Sequence, residues 1–204
     1  MAGRFITLEG GEGSGKSTQA RLLADRLRGA GQTVVLTREP GGTPGAESVR
    51  ALLVNGDTDR WSPWAEACLV NAARADHVER VIRPALARGH WVICDRFVDS
   101  TRAYQGAGKG LDDADLCSLH EKVTGDLWPD LTLVFILEPA QGLARAGARG
   151  ATEARFEGHD AGFHDRVSAF FAGLSGLHPV RCHSIAADRP VETIAAEIAA
   201  LVGA

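Results

Sequence analysis

A glycine-rich octet near the start constrains this chain more than any other stretch: Gly10-Gly11-Glu12-Gly13-Ser14-Gly15-Lys16-Ser17. It fits G-x-x-x-x-G-K-[ST] and stands between an alternating apolar run, Phe5 to Leu8, and a stretch from Thr18 with Leu22, Leu23 and Leu27 at helical spacing. Glycines let the backbone turn its N–H groups inward and approach phosphate oxygens with no Cβ in the way. The following helix adds unpaired N-terminal donors and the positive end of its dipole. Lys16 is then placed to reach the outer phosphates and the Ser17 hydroxyl to ligate Mg²⁺. Gly10 through Thr18 are the candidate nucleotide-phosphate site.

Strand and helix signals alternate along the rest of the 204 residues. Thr33 to Thr37 reads as a second strand, and Arg38-Glu39-Pro40-Gly41-Gly42-Thr43 as irregular. Ala46 to Val54 reads as a helix ended by Asn55-Gly56. Ser62-Pro63 opens another that runs toward Arg88, with Pro84 expected to bend it and Gly89 to close it. Trp91 to Asp95 is an apolar run with an acid at its carboxyl end, as a buried parallel strand would be. Asp112 to Val123 is amphipathic, Leu131 to Leu137 is a strand, and Gln141 to Ala146 is helical in pattern. Gly147 to Asp160 has few apolar anchors and reads as a mobile connection. Phe163 to Leu174 is helical, Val180 to Ile185 a weaker strand, and Val191 to Val202 a closing helix. This order predicts one α/β domain over residues 1–204: a mostly parallel five-stranded sheet, helices on both faces, and a mobile Arg-rich lid over roughly 145–160.

Composition excludes several functions. A net charge of −4 carries no broad footprint for nucleic acid. No apolar run approaches the ~20 residues that cross a bilayer. The first strand follows Met1-Ala2-Gly3-Arg4 directly, which leaves no room for a leader, so a cytoplasmic protein is expected. Cys68, Cys94, Cys117 and Cys182 stand far apart and read as reduced thiols rather than zinc ligands.

Asp95-Arg96 follows an apolar strand. Alone, such a pair is as well explained by a capping Asp beside a surface Arg; beside a phosphate loop, Asp95 reads as the carboxylate near the metal. The Arg-rich connection offers Arg145, Arg149 and Arg155, and arginines delivered by a closing loop can stabilise charge in phosphoryl transfer. Only three of the 22 basic residues are lysines, Lys16, Lys109 and Lys122, so most arginines here are ordinary surface groups.

With these residues in view, the chain resembles the bacterial thymidylate kinases. The matching segments are Phe5 to Gly10 leading into the loop, Thr37-Arg38-Glu39-Pro40-Gly41-Gly42-Thr43, Arg74 with His77-Val78, Val81-Ile82-Arg83-Pro84-Ala85-Leu86, Asp95 to Gly106, Arg155-Phe156-Glu157, and Phe163-His164-Asp165-Arg166-Val167. They cover nearly the whole chain in collinear order, and Asp95 to Gly106 is far more specific to that family than the phosphate loop. The resemblance implies transfer of the ATP γ-phosphoryl group to dTMP with Mg²⁺ held by Ser17 and Asp95, in a homodimer. It implies that Glu12 faces the deoxyribose and metal side of the acceptor. It puts Arg96 on the acceptor phosphate, Arg74 on the thymine carbonyl, and Ser100 and Thr101 near the base, with Asp95 and Gln105 also among the substrate-binding residues. It sets Tyr104 against a ribose 2′-hydroxyl, and Arg38 and the Glu39-Pro40 turn at the pocket's border. The phosphate loop carries no arginine, which places the chain with members whose catalytic arginines lie in the lid; Arg149 is the first choice and Arg145 the second.

Two departures stand out. Relatives place Phe or Tyr four residues before the base-reading arginine, where this chain has Val70; a stacking ring worth ~1 kcal/mol is lost unless a nearby Phe replaces it. The carboxylate after the fourth strand is Glu138 rather than Asp. A GTP-binding switch would need N-K-x-D, which none of the three lysines supplies. The remaining alternative is a nucleotide kinase with another acceptor.

Overall fold

The computed structural model describes residues 3–148 and 154–203. Among these, five parallel strands form one sheet in the order β2-β3-β1-β4-β5. They are β1 (Phe5–Gly10), β2 (Val34–Arg38), β3 (Trp91–Asp95), β4 (Leu131–Ile136) and β5 (Cys182–Ala186). Every residue of β1 is buried, as the central strand of a sheet covered on both faces must be. The chain leaves β1 toward one edge and later returns past it to the other, so strand order reverses around the carboxyl end of β1. Register sets Leu8 of β1 beside Asp95 of β3 and Gly10 beside Phe135 of β4.

Alternation along the strands divides the core. On one face, Ile6, Leu8, Ile93, Leu133 and Phe135 pack under α1 (Lys16–Gly29) and α10 (Val191–Val202). On the other, Phe5, Val92 and Cys94 meet Val78, Ile82 and Ala85. There too, Val134 meets Tyr104 and the Phe163, Val167 and Phe171 face of α9 (Ala161–Leu177). Helices cover both faces, as the alternating pattern requires.

The helix opened by Ser62 behaves differently from its sequence expectation. It runs as α3 (Pro63–His77), widens to a π-helical turn over Val78–Ile82, and resumes as α4 (Arg83–Ala87). The Arg83 N–H reaches back five residues to the Val78 carbonyl. The turn lies just ahead of Pro84, which has no N–H to give, so the ladder is re-phased there and the helical path continues. A second segment shows no clear period in its sequence: Val98–Thr101 is a short α5, and Arg102–Gly108 is π-helical. The other helices are α2 (Pro44–Val54), α6 (Asp113–Thr124) and α7 (Pro139–Gly147). Part of the stretch expected to be a mobile connection is regular, with a short α8 over Ala154–Glu157.

A buried ion network ties the segment after β3 to the rest. Asp99, fully buried, accepts from Arg102 Nη1 at 3.0 Å and from Arg181 Nη1 and Nη2 at 2.5 and 3.1 Å. Arg102 grips Asp113 of α6 through Nε at 2.8 Å and Nη2 at 2.7 Å. Removing the central carboxylate leaves two arginines without their buried counter-charge, a loss of about 3–5 kcal/mol. Asp99→Ala is therefore expected to lower the urea-unfolding free energy by about that amount; a change under ~1 kcal/mol would show that the network holds nothing together.

Candidate active site

The phosphate loop sits at the carboxyl end of the central strand, between β1 and α1. Gly13 and Gly15 take φ of 65° and 87°. No side chain caps α1, which leaves its first N–H groups for a ligand. The loop leans on α7. A Cβ on Gly13 would lie 2.0 Å from the Gly142 carbonyl oxygen, and one on Gly142 would lie 2.4 Å from that of Glu12. Loop and helix thus touch backbone to backbone, and Gly142 is a supporting residue that no motif marks.

Lys16 is buried and folds onto its own loop, donating to the Gly10 carbonyl at 3.0 Å, the Gly11 carbonyl at 2.7 Å and Ser14 Oγ at 3.1 Å. Burial and the Arg96 charge bring its pKa down to about 8, against the pull of Asp95, Glu12 and Glu9. A phosphate in the loop would supply the missing counter-charge and hold the ammonium form. Thr18 occupies the first turn of α1, its N–H on the Gly15 carbonyl at 3.1 Å. The Ser17 hydroxyl donates to Asp95 Oδ2, joining α1 to the end of β3. A hydroxyl and a carboxylate oxygen are hard donors of the kind Mg²⁺ takes.

Beside the loop, Asp95 gives way to Arg96, whose φ of 70° turns the chain sharply. Its backbone N–H bonds the Leu8 carbonyl at 2.9 Å. Its guanidinium reaches back to the loop, with Nη1 to the Gly10 carbonyl at 3.0 Å and to Ser100 Oγ at 3.2 Å, and Nη2 to Glu12 Oε1 at 2.7 Å. Tyr104 donates its hydroxyl to the same Glu12 oxygen at 2.7 Å and lies under the Arg96 guanidinium at 5.1 Å. Burial raises the Glu12 carboxyl, but the Arg96 and Lys16 charges and the Tyr104 hydroxyl outweigh it and leave it below the usual range. The bend itself is held by Glu9, which accepts from Phe97 N at 2.7 Å and Ser100 Oγ at 2.6 Å. Burial and the nearby Asp99 charge push Glu9 up to about 7.

Next to these residues opens a cleft between the phosphate loop, α3 and the segment after β3. Glu12, Pro40, Arg74, Arg96, Ser100, Thr101, Tyr104 and Gln105 all line it. Arg74, only 1% exposed, is pinned by four bonds: Nε to Glu39 Oε2 at 2.8 Å, Nη1 to Asn71 Oδ1 at 3.2 Å, and Nη2 to Thr101 Oγ1 at 2.8 Å and the Phe97 carbonyl at 3.1 Å. Glu39 is held in turn by His77 Nδ1 at 3.0 Å. Burial would raise the Glu39 carboxyl; Arg74 and His77 bring it below the usual range.

Some expected site residues stand elsewhere. Arg38 leaves the cleft and grips Glu47 at 2.9 and 3.1 Å, bordering the groove that contains Ser17 and Asp95. Arg145 donates to the Ala187 carbonyl at 3.1 Å, on the turn after β5, and does not line the cleft. Arg149 lies outside the described residues. Arg155 is only 1% exposed and its guanidinium is committed to α2, the α2–α3 connection and Glu66.

Glu39 lines the cleft as expected of the turn at its border, and Arg50, Val54, Phe97 and Phe156 line it without having been singled out as site residues. Arg50 bonds the Pro40 carbonyl at 2.9 Å. On its amphipathic helix nothing distinguishes it from a solvated arginine, whereas Phe97 and Phe156 lie within motifs that were already visible. The geometry juxtaposes a phosphate cradle and a cleft with two fixed guanidiniums, Arg96 shared between them. Such a pair of sites can align two phosphorylated ligands for group transfer.

The chain is similar to known proteins over nearly its whole length. The family model for thymidylate kinase matches residues 8–198. A thymidylate kinase of Caulobacter vibrioides is 54% identical over 200 residues, covering 98% of this chain and 96% of the relative. One of Magnetococcus marinus is 50% identical over 198 residues, covering 97% and 94%. The crystal structure of thymidylate kinase from Ehrlichia chaffeensis superposes with a TM-score of 0.79 at 34% identity, covering 99% of both chains. By family model, sequence and fold alike, the chain belongs to the thymidylate kinase family.

Proposed function

We propose that this protein transfers the γ-phosphoryl group of ATP to dTMP, releasing dTDP and ADP. The observation that carries this is the Arg96 guanidinium, bonded at once to the Gly10 carbonyl of the phosphate loop and to Glu12 at the edge of the cleft. An acceptor phosphate placed on Arg96 lies beside the loop that holds the donor. Its oxygen attacks the γ-phosphorus in line, the bond from that phosphorus to the β-bridging oxygen breaks, and ADP departs. A phosphate monoester has a second pKa near 6, so at neutral pH the nucleophile is already an anion and needs no general base.

The other residues position, neutralise and exclude. Lys16 follows the charge on the γ-phosphoryl group, and the Gly11 to Gly15 amides hold the β-phosphate. Ser17 and Asp95 are the residues that would hold Mg²⁺, which when bound neutralises charge on the donor phosphates. Arg74 offers its remaining Nη1 donor to a base carbonyl, rigidly, because Glu39, Asn71, Thr101 and the Phe97 carbonyl fix the rest of the guanidinium. Tyr104, pinned by Glu12, walls the sugar so that a 2′-hydroxyl would be crowded and desolvated. Ser100, Thr101 and Gln105 complete the base side. No helix among the described residues is long and apolar enough to cross a membrane, and free thiols at all four cysteines suit a reducing cytoplasm. Exposed Leu52 and Trp64, on α2 and α3, support pairing of two chains through those helices.

Two measurements test this reading. With ATP and Mg²⁺, kcat/KM is expected to be highest for dTMP among dTMP, dUMP, dCMP, dGMP and UMP; another monophosphate ahead by roughly tenfold would contradict the assignment. We place Arg149 on the transferring group, since Arg145 and Arg155 are engaged elsewhere. Arg149→Ala should lower kcat at least ~10²-fold with a smaller effect on nucleotide binding, and an unchanged kcat would remove it from the mechanism.

A further inference from the structure

A pyrimidine base buries two flat apolar faces, and a cleft that selects one commonly offers an aromatic ring. Three rings line this cleft: Phe97, Tyr104 and Phe156. Phe97 is fully buried and already packed edge-on by Phe5 and His120 at 4.9 and 5.3 Å, with the Arg74 guanidinium over it at 5.0 Å. Tyr104 is nearly buried, its hydroxyl on Glu12 and its face under Arg96. Phe156 alone of the three is half-exposed. One of its faces carries the Arg155 guanidinium at 5.3 Å, and its ring meets Tyr104 edge-on at 5.8 Å and 90°.

The ring's place is set by its neighbour in the chain. Arg155 donates Nε to the Asp57 carbonyl at 2.9 Å, Nη1 to Leu53 at 3.0 Å and Nη2 to Thr58 at 3.1 Å, and pairs with Glu66. Glu66, fully buried, also takes Gln105 at 2.8 Å and Lys109 at 2.9 Å. Glu66, Val70 and Arg74 are spaced four apart on α3 and share one helix face. Docking Arg155 on Glu66 thus anchors α8 to the α3 face that carries Val70 and Arg74, and position 156 lines the same cleft as those two residues. Val70 itself presents only a branched aliphatic surface.

Resting on the dTMP reading above, we propose that Phe156 is a specificity-determining residue, the ring on which the acceptor's base lies, delivered from α8 and positioned by the Arg155–Glu66 pair. The base-binding surface is thereby shared between α3 and the segment that follows the Arg-rich stretch, and acceptor affinity depends on α8 being docked.

The test is Phe156→Leu in the full chain, which keeps apolar bulk and removes the ring. Inhibition constants for dTMP and for deoxyribose 5-phosphate, the same ligand without its base, are measured together with the ATP affinity. Affinity for dTMP is expected to fall roughly 3–10-fold while deoxyribose 5-phosphate and ATP change less than about twofold. Adding Val70→Phe to this variant should restore dTMP binding, since it returns a ring to the same cleft from α3. Unchanged dTMP affinity would overturn the proposal, and so would an equal loss for dTMP, deoxyribose 5-phosphate and ATP, which would make Phe156 a packing residue. A native enzyme that preferred another acceptor would instead refute the dTMP reading, so the two failures are told apart.

Discussion

The site depends on one ion pair, Arg96 with Glu12, at 2.7 Å and with each side chain only about one-eighth exposed. Removing one partner of such a pair leaves a buried charge and typically costs about 3–5 kcal/mol, but its consequence here is geometric. Glu12 belongs to the phosphate loop and Arg96 to the end of β3, so the pair joins the two halves of the site. Arg96 adopts φ of 70°, a conformation that costs a side-chain-bearing residue of order 1–3 kcal/mol. The bonds from its backbone to Leu8 and from its side chain to Gly10, Ser100 and Glu12 offset that strain. Glu9 braces the next residue from beneath.

From this seam the donor and acceptor sides follow the same economy: polar side chains at and behind the cleft are held by carboxylates set beneath them. Glu39 holds Arg74, Glu12 holds Tyr104, and Glu66 holds Gln105, Lys109 and Arg155. A guanidinium fixed at several nitrogens loses little freedom on binding, so its remaining donor is directed before the ligand arrives. Arginine's abundance in this chain thus has two meanings, solvated on most helices and locked within the cleft.

Much of this could be read from the residues alone, for local reasons. The phosphate loop, the apolar run ending in Asp95 and the alternation of strands and helices are short-range patterns, and they place Lys16, Ser17, Asp95 and Arg96 together. The π-helical turn ahead of Pro84 and the π-helical Arg102–Gly108 segment were not legible, because neither follows a 3.6-residue period. The backbone contact between Gly13 and Gly142 joins positions far apart in sequence, and a glycine in a helix carries no mark of what approaches it. Arg155 was read as a lid arginine from composition; only the carbonyls of Leu53, Asp57 and Thr58, about a hundred residues earlier, reveal it as an anchor. The missing ring at position 70 was plain in the sequence, whereas the ring that Phe156 brings to the same cleft is a fact of tertiary packing.

The most direct test of the account is a structure of the protein with a single ligand joining adenosine to thymidine through a chain of phosphates. The account predicts the thymidine-side phosphate about 3 Å from the Arg96 guanidinium and the donor phosphates within the Gly11 to Ser17 loop. A thymidine-side phosphate bound elsewhere, with Arg96 touching only protein, would contradict it.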